Sequence, residues 1–168
     1  MAGVILDTVI IMKILLLIII ALTSTLGLAT LAGAGDIVVV TARTSTDQAP
    51  TEKISRKTIE KIYMKRKIFW KNGKRIVPIN LSASDPLREV FTKEILRRGH
   101  RTLVEYWNGK HFNGISPPVV LESEEAVKRF LRKVPGGVGY IRAENIEADL
   151  RVIYTIKEKR TDGPDDSK

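Results

Sequence analysis

Apolar residues run almost unbroken from Ile14 to Leu22 and fade through smaller residues to Ala34, after which the chain breaks into short apolar blocks. Asp36-Ile37-Val38-Val39-Val40-Thr41 is β-branched and nearly continuous, which predicts a strand buried on both faces of a parallel sheet. Ala42 to Thr51 is polar and reads as a loop. Ile54, Ile59, Ile62 and Tyr63 then recur at helical spacing, with Ser55 or Thr58 as the start residue. Asn72-Gly73 marks a turn. Arg75 to Asn80 reads as a second strand, in which Pro78 suits an edge position or a strand end.

Leu87, Val90, Phe91, Glu94 and Ile95 share one helical face, four of them apolar, and predict a helix from Pro86 to Leu96. Pro86 fits its first turn behind a cap at Asp85 or Ser84. Thr102 to Trp107 predicts another helix, ended by Asn108-Gly109. Ser116-Pro117-Pro118 is a loop leading into Val119-Val120-Leu121. Ser123 caps a helix through Val134, with Glu124 and Glu125 in its first turn and Arg129, Arg132 and Lys133 towards its end, both placements favouring the helix dipole. Pro135-Gly136-Gly137 is a tight exit into a short third strand, Val138–Ile141. Leu150–Ile156 is a final strand and Thr161–Lys168 a polar, disordered tail. No repeat is present. The alternation of strands and helices predicts an α/β lobe, a mixed, mostly parallel sheet flanked by helices.

The apolar leader changes the reading of where the protein works. Met12-Lys13, the run Ile14–Leu22 and the closing Ala32-Gly33-Ala34 have the order of a secretory signal peptide, cleaved after about Ala34. The pattern works best with translation starting at Met12. The alternative is an uncleaved membrane anchor, since Ile14 to Gly35 is long enough to span a bilayer. The expected organisation is therefore a signal peptide over 1–34, the lobe over 35–156 and a tail over 157–168, in a protein exported to the periplasm.

Residues 1–35 carry only Asp7 and Lys13, so the formal charge of +9 falls on the remainder. That balance allows nucleic acid, an anionic membrane surface or small anions as partners. Zinc-ligand spacing, an aromatic RNA-binding signature and long basic runs are all absent, so no nucleic-acid partner is expected and the membrane is met only through the leader. The chain has no cysteine, which excludes disulfides, zinc thiolates and a cysteine nucleophile. His100 and His111 have no acidic neighbours at ligand spacing, so no metal is expected. A Gly-x-Ser-x-Gly elbow, a carboxylate pair in apolar surroundings and a phosphate loop ending Gly-Lys are absent as well. The expectation is a binding protein with no cofactor rather than an enzyme.

One junction carries candidate chemistry. Asn80-Leu81-Ser82-Ala83-Ser84-Asp85-Pro86 runs from a strand end through small polar residues into a helix N-terminus, which points amides outward at an oxyanion. Simple helix capping uses the same amides. The candidate ligand-binding residues are Ser82, Ser84, Asp85 and Arg88, the last one turn into the helix, where its guanidinium can pair with oxyanion oxygens.

With those residues in view, the chain resembles the phosphate-specific solute-binding proteins of bacterial ABC importers. Ile54–Tyr63 with Trp70 resembles the family's LSxxxLxxIFxGxxxxW segment; Ile76-Val77-Pro78-Ile79, the Ser-rich junction and Phe91-Thr92 resemble its strand, phosphate loop and helix. Pro135–Ile141 resembles its PGxIGYV. The resemblance covers roughly Asp36 to Ile156. It implies a single lobe of the periplasmic-binding-protein kind, inorganic phosphate or a similar oxyanion as ligand, and an ABC permease, a second lobe or a homodimer as partner. Two departures matter. Full receptors close two lobes on the anion, and this chain has room for one. The family's junction reads Arg-x-x-x-Ser-Gly-Thr, whereas Asn80, Ser84, Asp85 and Pro86 stand here. Asp85 brings a negative charge beside the expected ligand, a cost of about 4 kcal/mol per like pair at about 4 Å and an effective dielectric near 20, unless it turns away as a cap or is protonated. A rival expectation is a periplasmic interaction module that no longer binds phosphate, with Lys110–Pro118 as its contact surface.

Overall fold

The computed structural model divides the chain into Met1–Gly33 and Ala34–Lys168, and it describes residues 35–43 and 53–157. The leader and the tail beyond Lys157 lie outside the described residues. Along the described chain run β1 (Ile37–Ala42), α1 (Arg56–Tyr63), β2 (Val77–Leu81), α2 (Pro86–Phe91) continued by a π turn (Thr92–Leu96), α3 (His100–His111), β3 (Val119–Leu121), α4 (Glu124–Lys133), β4 (Gly137–Arg142) and β5 (Leu150–Ile156).

The five strands form one sheet in the order β3-β2-β4-β1-β5. β2 lies parallel to β3 and to β4, while β1 is antiparallel to β4 and to β5. Four strands therefore point one way and β1 alone runs against them. This corrects the parallel setting expected for β1. Its run of Ile and Val reports burial on both faces, and burial is indifferent to the direction of the neighbours; Val39 and Val40 are fully enclosed. Val119–Leu121 forms a fifth strand, pairing with Ile79–Leu81 in parallel register. Of the two settings expected for Pro78, the structure shows the strand end: β2 is an interior strand and Pro78 is its second residue. Its ladder with β3 begins only at Ile79, so beside Pro78 that flank has no neighbour to receive an N–H.

Helix starts follow the capping chemistry. Ser55 Oγ accepts from Thr58 N, Asp85 Oδ1 from Leu87 N and Ser123 Oγ from Ala126 N. α1 and α4 bury Ile59, Ile62 and Tyr63, and Val127 and Leu131, respectively. The core joins these to Leu87, Phe91, Ile95, Val138, Tyr140, Ile141 and Ile153. Phe91 stacks on Tyr140 at 4.0 Å between ring centroids and meets Tyr63 at 4.5 Å, so α1, α2 and β4 share one aromatic cluster. The start of β4 is held by close backbone approach. Gly136 has φ +82°, and a Cβ there would lie 2.1 Å from the Arg75 carbonyl oxygen. Trp70 Nε1 donates to Gly136 O at 3.3 Å, and Gly136 O also accepts from Val77 N.

Candidate functional site

The junction after β2 lies at the carboxyl end of three parallel strands, and β2 and β3 there run into the N-termini of α2 and α4. Open sheets of this kind characteristically hold ligands beyond the strand carboxyl ends. Leu81 ends β2, Asp85 N donates to Ser82 O at 3.0 Å, and the turn so formed delivers Pro86 to the first position of α2. Ser82 is half-buried and Ser84 exposed, their hydroxyl oxygens 3.3 Å apart. Ser82, Ser84, Asp85 and Arg88 thus fall on one short stretch of surface.

Two of the four are engaged with the protein itself. Asp85 Oδ1 takes the Leu87 amide at 2.8 Å, so the chain's own carboxylate occupies a first-turn donor. Arg88 folds back over the turn, its Nη1 donating to Leu81 O at 2.8 Å. Beneath the junction lies a polar floor. Tyr140 Oη donates to Asn80 Oδ1 at 3.3 Å and accepts from Leu81 N at 3.2 Å; Tyr63 Oη donates to Ile79 O at 3.0 Å. Burial pushes the Tyr140 phenol up to about 12, against opposing pulls from the Leu81 amide and the Arg88 guanidinium. Tyr63 is raised well above its ordinary value by burial, and the nearby Tyr140 adds to the rise. Both phenols are neutral donors at physiological pH. Asn80 is buried and spends its carbonyl on Tyr140.

Beside Asp85 an open cleft of about 360 Å³ is lined by Glu122, Ser123, Glu124, Glu125, Lys128 and Asn145. Its charges are largely spoken for. Glu124 accepts from Arg142 N at 2.7 Å, Arg142 Nη1 at 2.6 Å and Asn145 Nδ2 at 3.0 Å. Lys128 pairs with Glu125 at 2.8 Å and with Glu147. Glu125 is held below the usual carboxylate range by its hydrogen bond to Lys128. Glu124 and Glu125 read in the sequence only as first-turn residues of α4; their place beside Asp85, with Glu122, depends on where α4 docks. The polar floor was equally hidden, although the Tyr140 of the PGxIGYV-like stretch was in plain view. Among the described residues no group of acidic or histidine side chains could hold a metal ion, and no helix is long and apolar enough to cross a membrane.

No protein-family model and no curated protein matches the chain. Solved structures do. An ABC-type phosphate transport receptor from Vibrio cholerae aligns with a TM-score of 0.55 and 16% identity over 71% of this chain and 46% of its own. A phosphate ABC transporter substrate-binding protein from Clostridium perfringens, solved with bound phosphate, aligns at 0.56 and 15% identity over 71% of this chain and 45% of that one. PstS from Borrelia burgdorferi aligns at 0.52 and 17% identity over 70% and 46%. The chain therefore spans less than half the length of each. At such identities the likeness is one of fold: the described residues build an α/β lobe of the kind found in substrate-binding proteins of phosphate transporters.

Proposed function

We propose that this protein is an exported, periplasmic oxyanion-binding lobe, with phosphate as the leading ligand, bound at the junction between β2 and α2. The observation that carries the reading is the place of this junction, at the carboxyl end of the parallel strands in a fold shared with a receptor that was solved with phosphate. Ser82 and Ser84 donate hydroxyl hydrogens. Arg88, released from Leu81 O, supplies the neutralising guanidinium, while Tyr140 braces the strand end from below through Asn80 and the Leu81 amide. Asp85 discriminates. As a carboxylate it accepts a hydrogen bond from the hydroxyl of a protonated oxyanion and repels one that carries no proton, which favours hydrogen phosphate over sulfate.

A single open lobe with Asp85 already on the Leu87 amide binds weakly, and a second lobe or a transporter partner strengthens it by closing the site. Calorimetric titration of phosphate, with sulfate as control, tests this directly. Saturable heat with phosphate alone, lost in Arg88→Ala, is the expected result. Absence of any heat at millimolar phosphate removes autonomous binding.

A further inference from the structure

Residues 61–84 contain seven Lys or Arg and no Asp or Glu. The fold concentrates most of that charge. Lys65, Arg66 and Lys67 form the turn that leaves α1, with Lys65 in the left-handed region at φ 53°. The chain then folds into a hairpin in which Phe69 pairs with Arg75, closed by Trp70 N donating to Lys74 O at 2.8 Å and Ile76 N to Ile68 O at 2.8 Å. Lys71, Asn72, Gly73 and Lys74 make its exposed tip. Both segments flank Trp70, and burial, with the Arg75 charge adding to it, lowers the Lys65 ammonium from its ordinary range. Arg66 and Lys110 both stand 5.6 Å from the centre of the Tyr106 ring.

None of Lys65, Arg66, Lys67, Lys71, Lys74, Arg75 or Lys110 has an ion-pair partner among the described residues, whereas Lys128, Arg132 and Arg142, near the acidic cleft, are all paired. Two apolar side chains stand in this basic field: Phe69 is 51% exposed and Ile68 41% exposed. Cross-strand partners share a face, so Phe69 and Arg75 project together. The hairpin is anchored to the lobe by Trp70, which is buried and whose Nε1 donates to Gly136 O.

We infer that the hairpin Ile68–Ile76 and the Lys65–Lys67 turn form a docking surface for an anionic phospholipid membrane. Exposed apolar groups ringed by unpaired cations are the pattern of an interfacial contact, in which the phenyl ring enters the headgroup boundary and the ammonium groups meet lipid phosphates. Each Lys or Arg near such a surface strengthens binding about fivefold. An acidic protein would need a matching apolar pocket to receive Phe69 and Ile68, whereas the headgroup boundary of a bilayer takes them up without one. The surface adds a second membrane contact to the one expected of the leader. It sits at the amino end of β2, about 17 Å at 3.3 Å per residue from the oxyanion junction at the carboxyl end. Docking there leaves the junction facing away from the lipid, and the inference does not depend on anion binding.

The test is co-sedimentation of the full chain with vesicles of phosphatidylcholine alone or of an equal mixture with phosphatidylglycerol. The apolar leader is common to every variant, so the readout is the increment due to phosphatidylglycerol. The expected result is an increment that falls with added salt, drops at least about tenfold in Lys71→Glu/Lys74→Glu, and survives in the equally charged control Arg129→Glu/Lys133→Glu. Phe69→Ala lowers it severalfold with the salt dependence unchanged. Circular dichroism verifies that each variant is folded. Equal sedimentation with both vesicles, or equal loss in both charge-reversed pairs, overturns the proposal. So does release by free phosphate at matched ionic strength, which would place the headgroup in the oxyanion junction.

Discussion

Asp85 concentrates the tension between folding and ligand binding in one side chain. Its carboxylate caps α2 through the Leu87 amide at 2.8 Å, and the same position places a negative charge beside the proposed anion. Asparagine caps as well as aspartate and carries no charge. Asp85→Asn is therefore expected to leave thermal stability within about 1 kcal/mol and to tighten phosphate at least about tenfold, with sulfate gaining more than phosphate; calorimetry reads all three. An unchanged affinity would move the ligand away from Asp85. A second residue-scale contrast concerns glycine. Gly73 has φ +79° with nothing within 4 Å of where a Cβ would stand, whereas at Gly136, with φ +82°, a Cβ would lie 2.1 Å from the Arg75 oxygen. Gly73→Ala is expected to cost about 1 kcal/mol from backbone strain alone, and Gly136→Ala about 3 kcal/mol or more, because the hairpin must shift. Urea midpoints of the two variants check the difference.

At the scale of elements, the aromatic cluster of Tyr63, Phe91 and Tyr140 ties α1 and α2 to β4 and leaves a pH signature. Burial raises the Tyr140 phenol to about 12 and Tyr63 in the same direction. An unfolded tyrosine ionises near about 10, so the folded state holds these protons more tightly than the unfolded one. Their contribution is complete below about pH 10 and is lost as pH rises towards about 12, roughly 3 kcal/mol for Tyr140. Tyr140→Phe is expected to lower stability near neutrality by about 1 kcal/mol, as the Leu81 amide loses its acceptor, yet to flatten the alkaline fall. Chemical denaturation across that range decides, and an alkaline slope as steep as the parent's would show that Tyr140 titrates normally. The same cluster shows what the sequence could reveal. Helix faces such as Leu87, Phe91 and Ile95, and caps such as Ser55, Asp85 and Ser123, are local patterns and were legible. The direction of β1, the pairing of Val119–Leu121 and the contact of Tyr140 with Asn80 join residues far apart in the chain, and no local period records them. The candidate site divides likewise: Ser82 to Arg88 could be read as one segment, while the acidic cleft facing Asp85 depends on where α4 docks.

The whole molecule separates its charges. Five ion pairs gather around α4 and the approach to β5 and three more lie on α1 and α3, while the turn after α1 and the hairpin carry cations with no ion-pair partner among the described residues. With a formal charge of +9, the compact state works against its own repulsion. Salt acts on both ends. It weakens exposed pairs such as Arg132 with Asp149, which contribute little in water, and it screens the unpaired basic field across a Debye length of about 8–10 Å. Exposed pairs lose little on screening, whereas the cations of the basic face have no ion-pair partner among the described residues to offset their repulsion, so the second effect wins. Sodium chloride is expected to raise Tm, and a fall would mean that the paired end dominates. Phosphate can be separated from this general screening. At matched ionic strength a bound anion adds RT ln(1 + [L]/Kd), about 1.4 kcal/mol at tenfold excess over Kd. A further rise in Tm with phosphate, absent with sulfate and absent in Arg88→Ala, is what binding at the β2 junction requires. An identical rise with all three salts would leave the anion response entirely to the basic face at the other end of the sheet.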